Sequence, residues 1–326
     1  MSDRAKNQEK LKILIAGGAG YLGGYLTDLL IKNGCEVTVY DNLLYEDRYL
    51  KPANFIYGDI RDSKKLLSII NGFDAVVWLA AIVGDGACAV EPYYTRAINV
   101  DSVKWLAENY KGKIIFTSTC SVYGFNNNLI DETSELIPLS LYAETKVAAE
   151  KLIINQHKNY LIFRLGTLFG VGDDHSRLRF DLVVNSLTMK AARGEVLKVF
   201  GGGQWRPLLH VKDAAEAIVF AIKNDLSGIY NLSNKNFMIK DVAEEIQNTL
   251  DSFYDSEVKI EYTNLKFEDL RNYKVSADKF KEFGWRPKHE LASGIKEIYQ
   301  RVKESRVKEP DHPLYSNAIF IKRKFF

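Results

Sequence analysis

Residues 11–23, Leu-Lys-Ile-Leu-Ile-Ala-Gly-Gly-Ala-Gly-Tyr-Leu-Gly, constrain the fold more than any other stretch of the chain. A short apolar run ends in Gly17, Gly20 and Gly23, and Tyr25, Leu26, Leu29, Leu30 and Ile31 then recur with helical spacing. The order is strand, tight turn, helix. Glycine suits such a turn because it has no side chain to bar a left-handed backbone or the close approach of a phosphate. The helix N-terminus adds unpaired N–H groups and the positive end of a dipole. Glycine-rich turns also serve simply as turns, so the strand before and the helix after give this spacing its meaning.

The first half of the chain repeats that phrase. Apolar strands are predicted at 11–16, 36–40, 55–57, 75–79, 113–117 and 160–165, with a helix at 141–156 before the last. Strands that are apolar almost throughout, separated by helices, argue for a parallel sheet covered on both faces. Right-handed crossovers wind it into a doubly wound α/β fold of Rossmann type. A closed barrel of eight such units is disfavoured, because past Gly170 the pattern loosens. Helices at about 180–193, 212–223, 239–250, 276–283 and 291–302 alternate there with short strands at 197–200, 228–232 and 258–262. The division expected is a dinucleotide-binding domain at 1–170, its sheet completed from 204–235, and a smaller mixed α/β substrate domain at 171–326. The basic-aromatic stretch Lys322-Arg323-Lys324-Phe325-Phe326, beyond Pro310 and Pro313, reads as a packed or frayed tail, with binding to a phosphate surface as the other reading.

Bulk properties exclude several classes. A net charge of +2, from 44 basic and 42 acidic residues, gives no reason to expect a nucleic-acid partner. No apolar run approaches the ~20 residues that span a bilayer, so no membrane partner is expected. Residues 1–10 are polar and charged, unlike a signal peptide, and the expected location is the cytoplasm. Cys35, Cys88 and Cys120 are few, far apart and odd in number, which argues against a disulfide framework or a metal cluster.

Asp41 stands at the end of the second strand, about twenty residues past the glycines. A carboxylate there accepts hydrogen bonds from ribose hydroxyls and repels a 2′-phosphate, which favours NAD over NADP. Arg48, on a nearby loop, could reach such a phosphate, and a turn former before Asn42 is the plainer reading of Asp41. Asp59 repeats the arrangement after the third strand and could hold the adenine amino group. The fifth strand runs into Thr117-Ser118-Thr119-Cys120-Ser121, and Tyr142 and Lys146 follow one helical turn apart on a shared face. A tyrosine is a poor base at neutral pH unless a nearby ammonium, aided by an oxidised nicotinamide, stabilises its phenolate. It could then take a proton from a substrate hydroxyl while Thr119 orients the same oxygen. The same Tyr-x-x-x-Lys spacing recurs at Tyr262/Lys266 and Tyr299/Lys303, but only the first pair opens a helix after a sheet strand with a hydroxyl residue at its end.

These motifs together resemble the extended short-chain dehydrogenase/reductase family, in its nucleotide-sugar epimerase and dehydratase branch. The resemblance is carried by Gly-Gly-Ala-Gly-Tyr-Leu-Gly (17–23), Tyr-Asp-Asn (40–42), Gly-Asp-Ile-Arg-Asp (58–62), Leu-Ala-Ala (79–81), Asn99, residues 118–124 and Tyr142/Lys146. It continues through Phe-Arg-Leu-Gly (163–166), residues 201–211, Tyr-Asn-Leu-Ser (230–233) and Phe-Gly-Trp-Arg-Pro (283–287), in the family's order. It implies NAD held by Gly17, Gly20, Tyr21, Leu22 and Gly23, by Asp41, Asn42, Asp59 and Ile60, and by Leu79, Ala80 and Ala81. Asn99, Thr117, Tyr142, Lys146 and Leu168 complete that set. Thr119, Tyr142 and Lys146 would carry the proton and hydride chemistry.

The resemblance also implies a nucleotide sugar near Asn185, Val199, Arg206 and Arg271, and arginine suits the task because its planar donors grip phosphate oxygens in pairs. Arg177 and Arg179 are two further candidate phosphate ligands. Val83, Asp85, Cys88, Cys120 and Ser121 fall where the sugar would lie. His210 reads as a packed histidine. Cys88 reads as a small apolar contact, with no paired histidine to make it a nucleophile. Dehydratases of this branch usually carry an Asp-Glu pair directly after the catalytic hydroxyl residue; here Cys120 and Ser121 stand there, which disfavours 4,6-dehydration. A 4-epimerase or a net 4-dehydrogenase remains, acting on a hexose or heptose. The 82–85 loop resembles enzymes acting on modified sugars, including GDP-activated heptoses for bacterial surface polysaccharides. A reductase and a non-catalytic NAD sensor or scaffold are the alternatives. Family members commonly pair through the helices after the fourth and fifth strands, here 94–109 and 141–156, so a homodimer is expected.

Overall fold

The computed structural model describes residues 9–263, 271–304, 306–307 and 309–326. The chain begins with β1 (Lys12–Ala16), α1 (Gly23–Lys32), β2 (Glu36–Asp41), β3 (Asn54–Tyr57), α2 (Ser63–Leu67) and β4 (Ala75–Trp78). Next come α3 (Asp85–Val90), α4 (Pro92–Arg96), a π-helical turn (Ala97–Asp101), α5 (Ser102–Asn109), β5 (Lys113–Thr119), β6 (Phe125–Ile130), α6 (Leu141–Gln156), β7 (Tyr160–Leu165) and β8 (Thr167–Phe169). The second half contains α7 (Val183–Ala192), β9 (Leu197–Phe200), β10 (Trp205–His210), α8 (Val211–Lys223), β11 (Gly228–Leu232), β12 (Lys235–Met238) and α9 (Ile239–Tyr254). It continues with β13 (Ile260–Thr263), β14 (Asn272–Val275), α10 (Asp278–Lys281), α11 (Leu291–Lys303) and α12 (Asn317–Phe325).

Seven strands form one parallel sheet in the order β11-β7-β5-β4-β1-β2-β3. The chain leaves the neighbours β1 and β4 toward opposite sides, which opens a crevice at their carboxyl ends. Side chains alternate along each strand, so Ile13 and Ile15 pack under α1 and α8 while Leu14 and Ala16 pack under α5 and α6. Both faces are therefore covered, as a parallel sheet requires. A further core, including Val184, Leu187, Val242, Ile246, Ile295 and Ile298, lies under α7, α9 and α11.

The apolar strands of the first half stand within two residues of their predicted bounds. The helix predicted from residue 180 begins only at Val183: Leu182 before it is extended, and the Phe180 N–H donates to the Tyr315 carbonyl (2.8 Å). The one predicted at 276–283 is a single turn, Asp278–Lys281. β6, read from Phe-Asn-Asn-Asn-Leu-Ile, carries no apolar alternation and pairs irregularly with β14. Residues 317–325 form a packed helix on α3 rather than a frayed end.

Glu297 of α11 joins this outer layer to the sheet. Its carboxylate accepts from the Val171 N–H (3.1 Å), His210 Nε2 (3.0 Å) and Lys212 Nζ (2.7 Å). His210 is packed against Gly170, whose φ is +91° and where a Cβ would lie 2.0 Å from the imidazole. Burial alone would raise the Glu297 carboxyl, but the bonds from His210 and Lys212 outweigh it and bring it down to about 2. A carboxyl depressed below its ordinary value of 4.5 stabilises the fold above that pH and loses the contribution as pH falls toward 2. Glu297→Gln should therefore cost about 1–3 kcal/mol at neutral pH. It should also flatten the fall in melting temperature between about pH 4.5 and 2. Calorimetry across that range checks both, and an acid limb identical to that of the parent chain would contradict the assignment.

Candidate active site

A cavity of about 790 Å³ opens in the crevice between β1 and β4. Gly17, Gly20, Tyr21, Leu22 and Gly23 from the β1–α1 turn line one end, with Asp41 and Asn42 at the end of β2 and Ile60 after β3. Leu79, Ala80 and Ala81 after β4, Thr117 and Thr119 of β5, Tyr142 and Lys146 of α6, and Leu168 of β8 continue the wall. The glycines differ in what requires them. A Cβ at Gly17 would lie 2.5 Å from the Ala80 nitrogen, and its φ is +81°. One at Gly23 would lie 2.6 Å from Gly18. One at Gly20 would meet only the Gly17 carbonyl oxygen, at 3.4 Å. The packing of the chain hardly calls for glycine at position 20, whereas a phosphate lying on the turn does. Asp41 caps the same turn, accepting from the Ala19 N–H (3.0 Å) and the Leu43 N–H (2.7 Å). Burial pushes its carboxyl up, and those backbone donors oppose the rise. These residues fit a dinucleotide.

Thr119, Tyr142 and Lys146 meet at the other side of the crevice. Ser140 caps α6 by accepting from the Ala143 N–H (3.3 Å), which places Tyr142 and Lys146 in the first turns, facing β5. Lys146 is buried, donates to the Thr117 carbonyl (2.9 Å) and lies 4.6 Å over the Phe116 ring. Burial lowers its ammonium to about 8. Burial raises the Tyr142 phenol well above its usual value and the nearby Cys88 adds to this, while Arg179 and a hydrogen bond with Thr119 act against it. The lysine alone does not bring the phenol below its ordinary range, as the sequence reading expected of the two charges together.

Beyond Tyr142 the cavity is walled by Val83, Asp85, Ser121, Arg177, Arg179, Val199, Arg206 and Arg271. Asp85 accepts from the Ser140 hydroxyl (2.6 Å) and pairs with Arg271 (3.0 Å). Arg206 donates to the carbonyls of Trp205 (2.8 Å) and Arg271 (2.7 Å). Ser121 shares a hydrogen bond with Thr119 (3.1 Å) and another with the Tyr273 hydroxyl (3.2 Å). Lys190, Lys198 and Gln204 also line this end and were not singled out from the sequence. Gln204 Oε1 and Ser118 Oγ are buried without a hydrogen-bond partner. Gln204 falls within the 201–211 motif and Lys198 within the strand at 197–200, and both were legible there; Lys190 carries no such signal.

Several expected site residues lie off the cavity. Cys88 is fully buried and donates to the Ile82 carbonyl (3.3 Å), with its thiol pushed up to about 12 by burial. Cys120 points behind β5 to the Arg164 carbonyl (3.3 Å). Asn185 is consumed by the Gly170 N–H (3.0 Å) and the Tyr21 hydroxyl (3.3 Å). Asn99 bonds both the N–H and the carbonyl of Ile82 (2.8 and 2.9 Å), bracing the loop after β4 from beneath. Asp59 lies on a separate side cavity of about 390 Å³, bonded to Asn42 and Arg61. Arg177 and Arg179 reach the wall but are held internally, Arg177 by Leu314 and Asn317 and Arg179 by Asp181 (3.0 Å). Arg48 pairs with Asp47 at the surface (3.0 Å), away from this cavity. Of the two other Tyr-x-x-x-Lys pairs, Lys266 falls outside the described residues, and Lys303 lies 5.5 Å over the Tyr299 ring on α11.

A parallel sheet with a glycine turn at its switch point, and a tyrosine–lysine pair beside it, defines a dinucleotide-binding protein of Rossmann type. The chain belongs to the NAD-dependent epimerase/dehydratase family, whose model matches residues 13–233, and NAD is the cofactor of that family. It is 32% identical over 264 residues to a UDP-glucose 4-epimerase of Halalkalibacterium halodurans, covering 72% of this chain and 79% of that protein. It is 27% identical over 313 residues to UDP-glucuronic acid decarboxylase 6 of Arabidopsis thaliana, covering 88% of each. The crystal structure of a Thermotoga maritima UDP-glucose 4-epimerase with UDP-glucose matches with a TM-score of 0.76 and 26% identity, covering 91% of this chain and all of that one. The protein is thus an enzyme of the NAD-dependent nucleotide-sugar epimerase/dehydratase kind. Among the described residues no helix is long and apolar enough to cross a membrane.

The contrast among the glycines is measurable. Gly17→Ala should destabilise the fold by more than about 3 kcal/mol, since it meets backbone in a left-handed conformation. Gly20→Ala should change stability by less than about 0.5 kcal/mol. Denaturant titration of both variants checks the pair, and equal losses would show that Gly20 too is a packing requirement.

Proposed function

We propose that this enzyme oxidises the C4 hydroxyl of a nucleotide-activated hexose or heptose to a 4-keto sugar, as the opening half of a 4-epimerisation. The observation that carries the reading is the convergence of Thr119, Tyr142 and Lys146 on the cavity that the Gly17–Gly20–Gly23 turn also lines. In this reading residues 1–170, with the strands from 204–235, hold the cofactor, and 171–326 hold the nucleotide sugar. The turn amides and Asp41 bind the dinucleotide; NAD, when bound, supplies the hydride acceptor and, in its oxidised form, a positive charge beside Tyr142. That charge matters because burial alone holds the phenol protonated. Tyr142 Oη then takes the proton of the C4 hydroxyl, and the Thr119 hydroxyl orients the same oxygen. Lys146, one helical turn from Tyr142 and anchored on the Thr117 carbonyl, supplies an ammonium that favours the phenolate.

Arg206 and Arg271 are the cations placed to meet the diphosphate. The unpartnered Gln204 oxygen, with Val199 and Phe200, forms the end suited to ribose and base. Two observations favour epimerisation over 4,6-dehydration. Cys120 is buried behind the strand, and Ser121, which does reach the cavity, carries no carboxyl to remove water. The intact tyrosine–lysine pair disfavours a sensor or scaffold. Epimerisation and release of the 4-keto sugar share the same first step. The likeness of the 82–85 loop to enzymes of GDP-heptoses for surface polysaccharides sets GDP-heptose beside UDP-hexoses as the substrates to compare.

Tyr142→Phe should abolish product formation and leave NAD binding nearly intact. Wild-type turnover in that variant would sink the mechanism. Incubation of the parent enzyme with a panel of UDP- and GDP-hexoses and a GDP-heptose, followed by mass spectrometry and NMR, separates the outcomes. A product lighter by two hydrogens means release of the keto sugar; an unchanged mass with altered ring couplings means epimerisation. The protein should also dimerise through 94–109 and α6, and a monomer by light scattering at micromolar concentration would contradict that.

A further inference from the structure

Helix α12 and the turn before it have no task in the mechanism above, yet they are built into the cavity wall. Asn317, at the start of α12, is only 3% exposed and commits its polar groups in three directions. Its backbone N–H donates to Asp181 (3.0 Å), its side-chain amide donates to the Val83 carbonyl (2.9 Å), and its side-chain oxygen accepts from Arg177. Arg177 donates as well to the Leu314 carbonyl (2.6 Å), and its guanidinium stands 4.0 Å from the centre of the Tyr45 ring. One buried amide thereby ties together the loop after β4, the loop after β2 and the segment leading into α7. Asn317 and Ala318 themselves line the main cavity. Farther along, the Phe320 ring packs 5.0 Å from Tyr45 and the Phe325 ring 4.9 Å from Tyr94. Lys324 and Phe325 close the side cavity opposite Asn42 and Asp59. A helix of this length, at ~1.5 Å rise per residue, runs from the reaction end of the crevice to its Asp59 end.

Apolar contacts alone would bury area without fixing position. An arginine and an amide buried with matched partners are costly to shift, because any slip strands a desolvated donor or acceptor. The seat of α12 is therefore specific, and what it fixes most directly is Val83, in a loop that lines the same cavity as Tyr142. Asn99 braces the same loop from below through Ile82, so residues 82 and 83 are gripped from two sides.

We propose that α12 is a strap which retains the bound dinucleotide, with Asn317 as the residue that positions the 82–86 loop over it. This rests on the reading of the crevice as the NAD site. Removing the Asn317 amide leaves the Val83 carbonyl without its donor and one nitrogen of Arg177 without its acceptor, and the loop and strap part more often. The full-length Asn317→Ala variant should release NAD about tenfold faster in a stopped-flow displacement assay, the effect of losing roughly one hydrogen bond from the closed state. Its melting temperature without NAD should stay within about 4 °C of the parent's. Asn317→Asp, which keeps an acceptor for Arg177 but loses the donor to Val83, should fall between the two. NAD release within twofold of the parent in both variants would overturn the proposal. So would a faster release that merely follows the fraction of unfolded protein. A parent enzyme that binds no NAD would refute the reading of the crevice instead, and that result is visible before any variant is made.

Discussion

At the end of β1 the backbone of Gly17 passes so close to Ala80 that a single methyl group would not fit between them. The Leu79 and Ala80 N–H groups both bond to the Ala16 carbonyl (2.9 Å each), so β1 and β4 stay paired to the point where the chain turns away from each. The other parts of the site depend on that contact. From there the turn after β1 and the loop after β4 leave toward opposite sides of the sheet, and the crevice lies between them. The next strand outward, β5, then delivers Thr117 and Thr119 to the same edge. α6, packed over β5 and capped by Ser140, brings Tyr142 and Lys146 to it. A displacement of Gly17 would move the phosphate cradle and the loop gripped by Asn99 and Asn317 together.

What was legible in the sequence follows from how local the causes are. The apolar runs of β1, β2, β4, β5 and β7 are each long enough to announce a buried strand, and the spacing of Tyr142 and Lys146 fixes their shared face without any tertiary information. Asp41 and the three glycines belong to one turn. β6 and β14 escaped notice because their pairing comes from opposite halves of the chain and their residues are mostly polar. α12 escaped because its apolar contacts, Tyr45, Tyr94 and Gly86, lie more than two hundred residues upstream. Asn99 and Asn185 lie off the cavity, their amides turned to the groups that shape it, a distinction set by rotamer and neighbour rather than by position in a motif.

The arginines show the same limit in chemical terms. A guanidinium has five donors in a fixed plane, which suits it to a diphosphate and equally to a set of internal carbonyls and carboxylates. Arg164 spends its donors on Glu150 (2.7 Å) and the Tyr123 hydroxyl (2.9 Å), pinning α6 to β7 behind the reactive pair. Arg179 spends its on Asp181, and Arg177 on the α12 seat. Residue type alone cannot separate these uses, because the deciding partner of Arg177 stands 140 residues away. Arg271 shows an intermediate state: its internal partner, Asp85, is a third exposed and sits in the cavity itself. A diphosphate arriving there competes with a carboxylate that is already partly solvated, which is a smaller obstacle than a buried pair.

Burial at the reactive pair works in two directions at once. It raises the Tyr142 phenol and lowers the Lys146 ammonium to about 8, so the chain by itself holds the phenol protonated while the lysine keeps its charge at neutral pH. The same low-dielectric surroundings make any added positive charge act on the phenol more strongly than it would in water. In the proposed reaction such a site would hold Tyr142 protonated until a cationic ring is beside it. The requirement explains why the anchoring of Lys146 is to a neutral carbonyl rather than to a carboxylate: a paired acid would neutralise the ammonium and leave less field at Tyr142. Glu150, one turn further along the same face of α6, gives its oxygens to Arg164 (2.7 Å), while its charge still reaches Lys146 and favours the ammonium. The buried Arg164–Glu150 pair thus balances that carboxylate with a guanidinium and fastens the helix that carries the lysine.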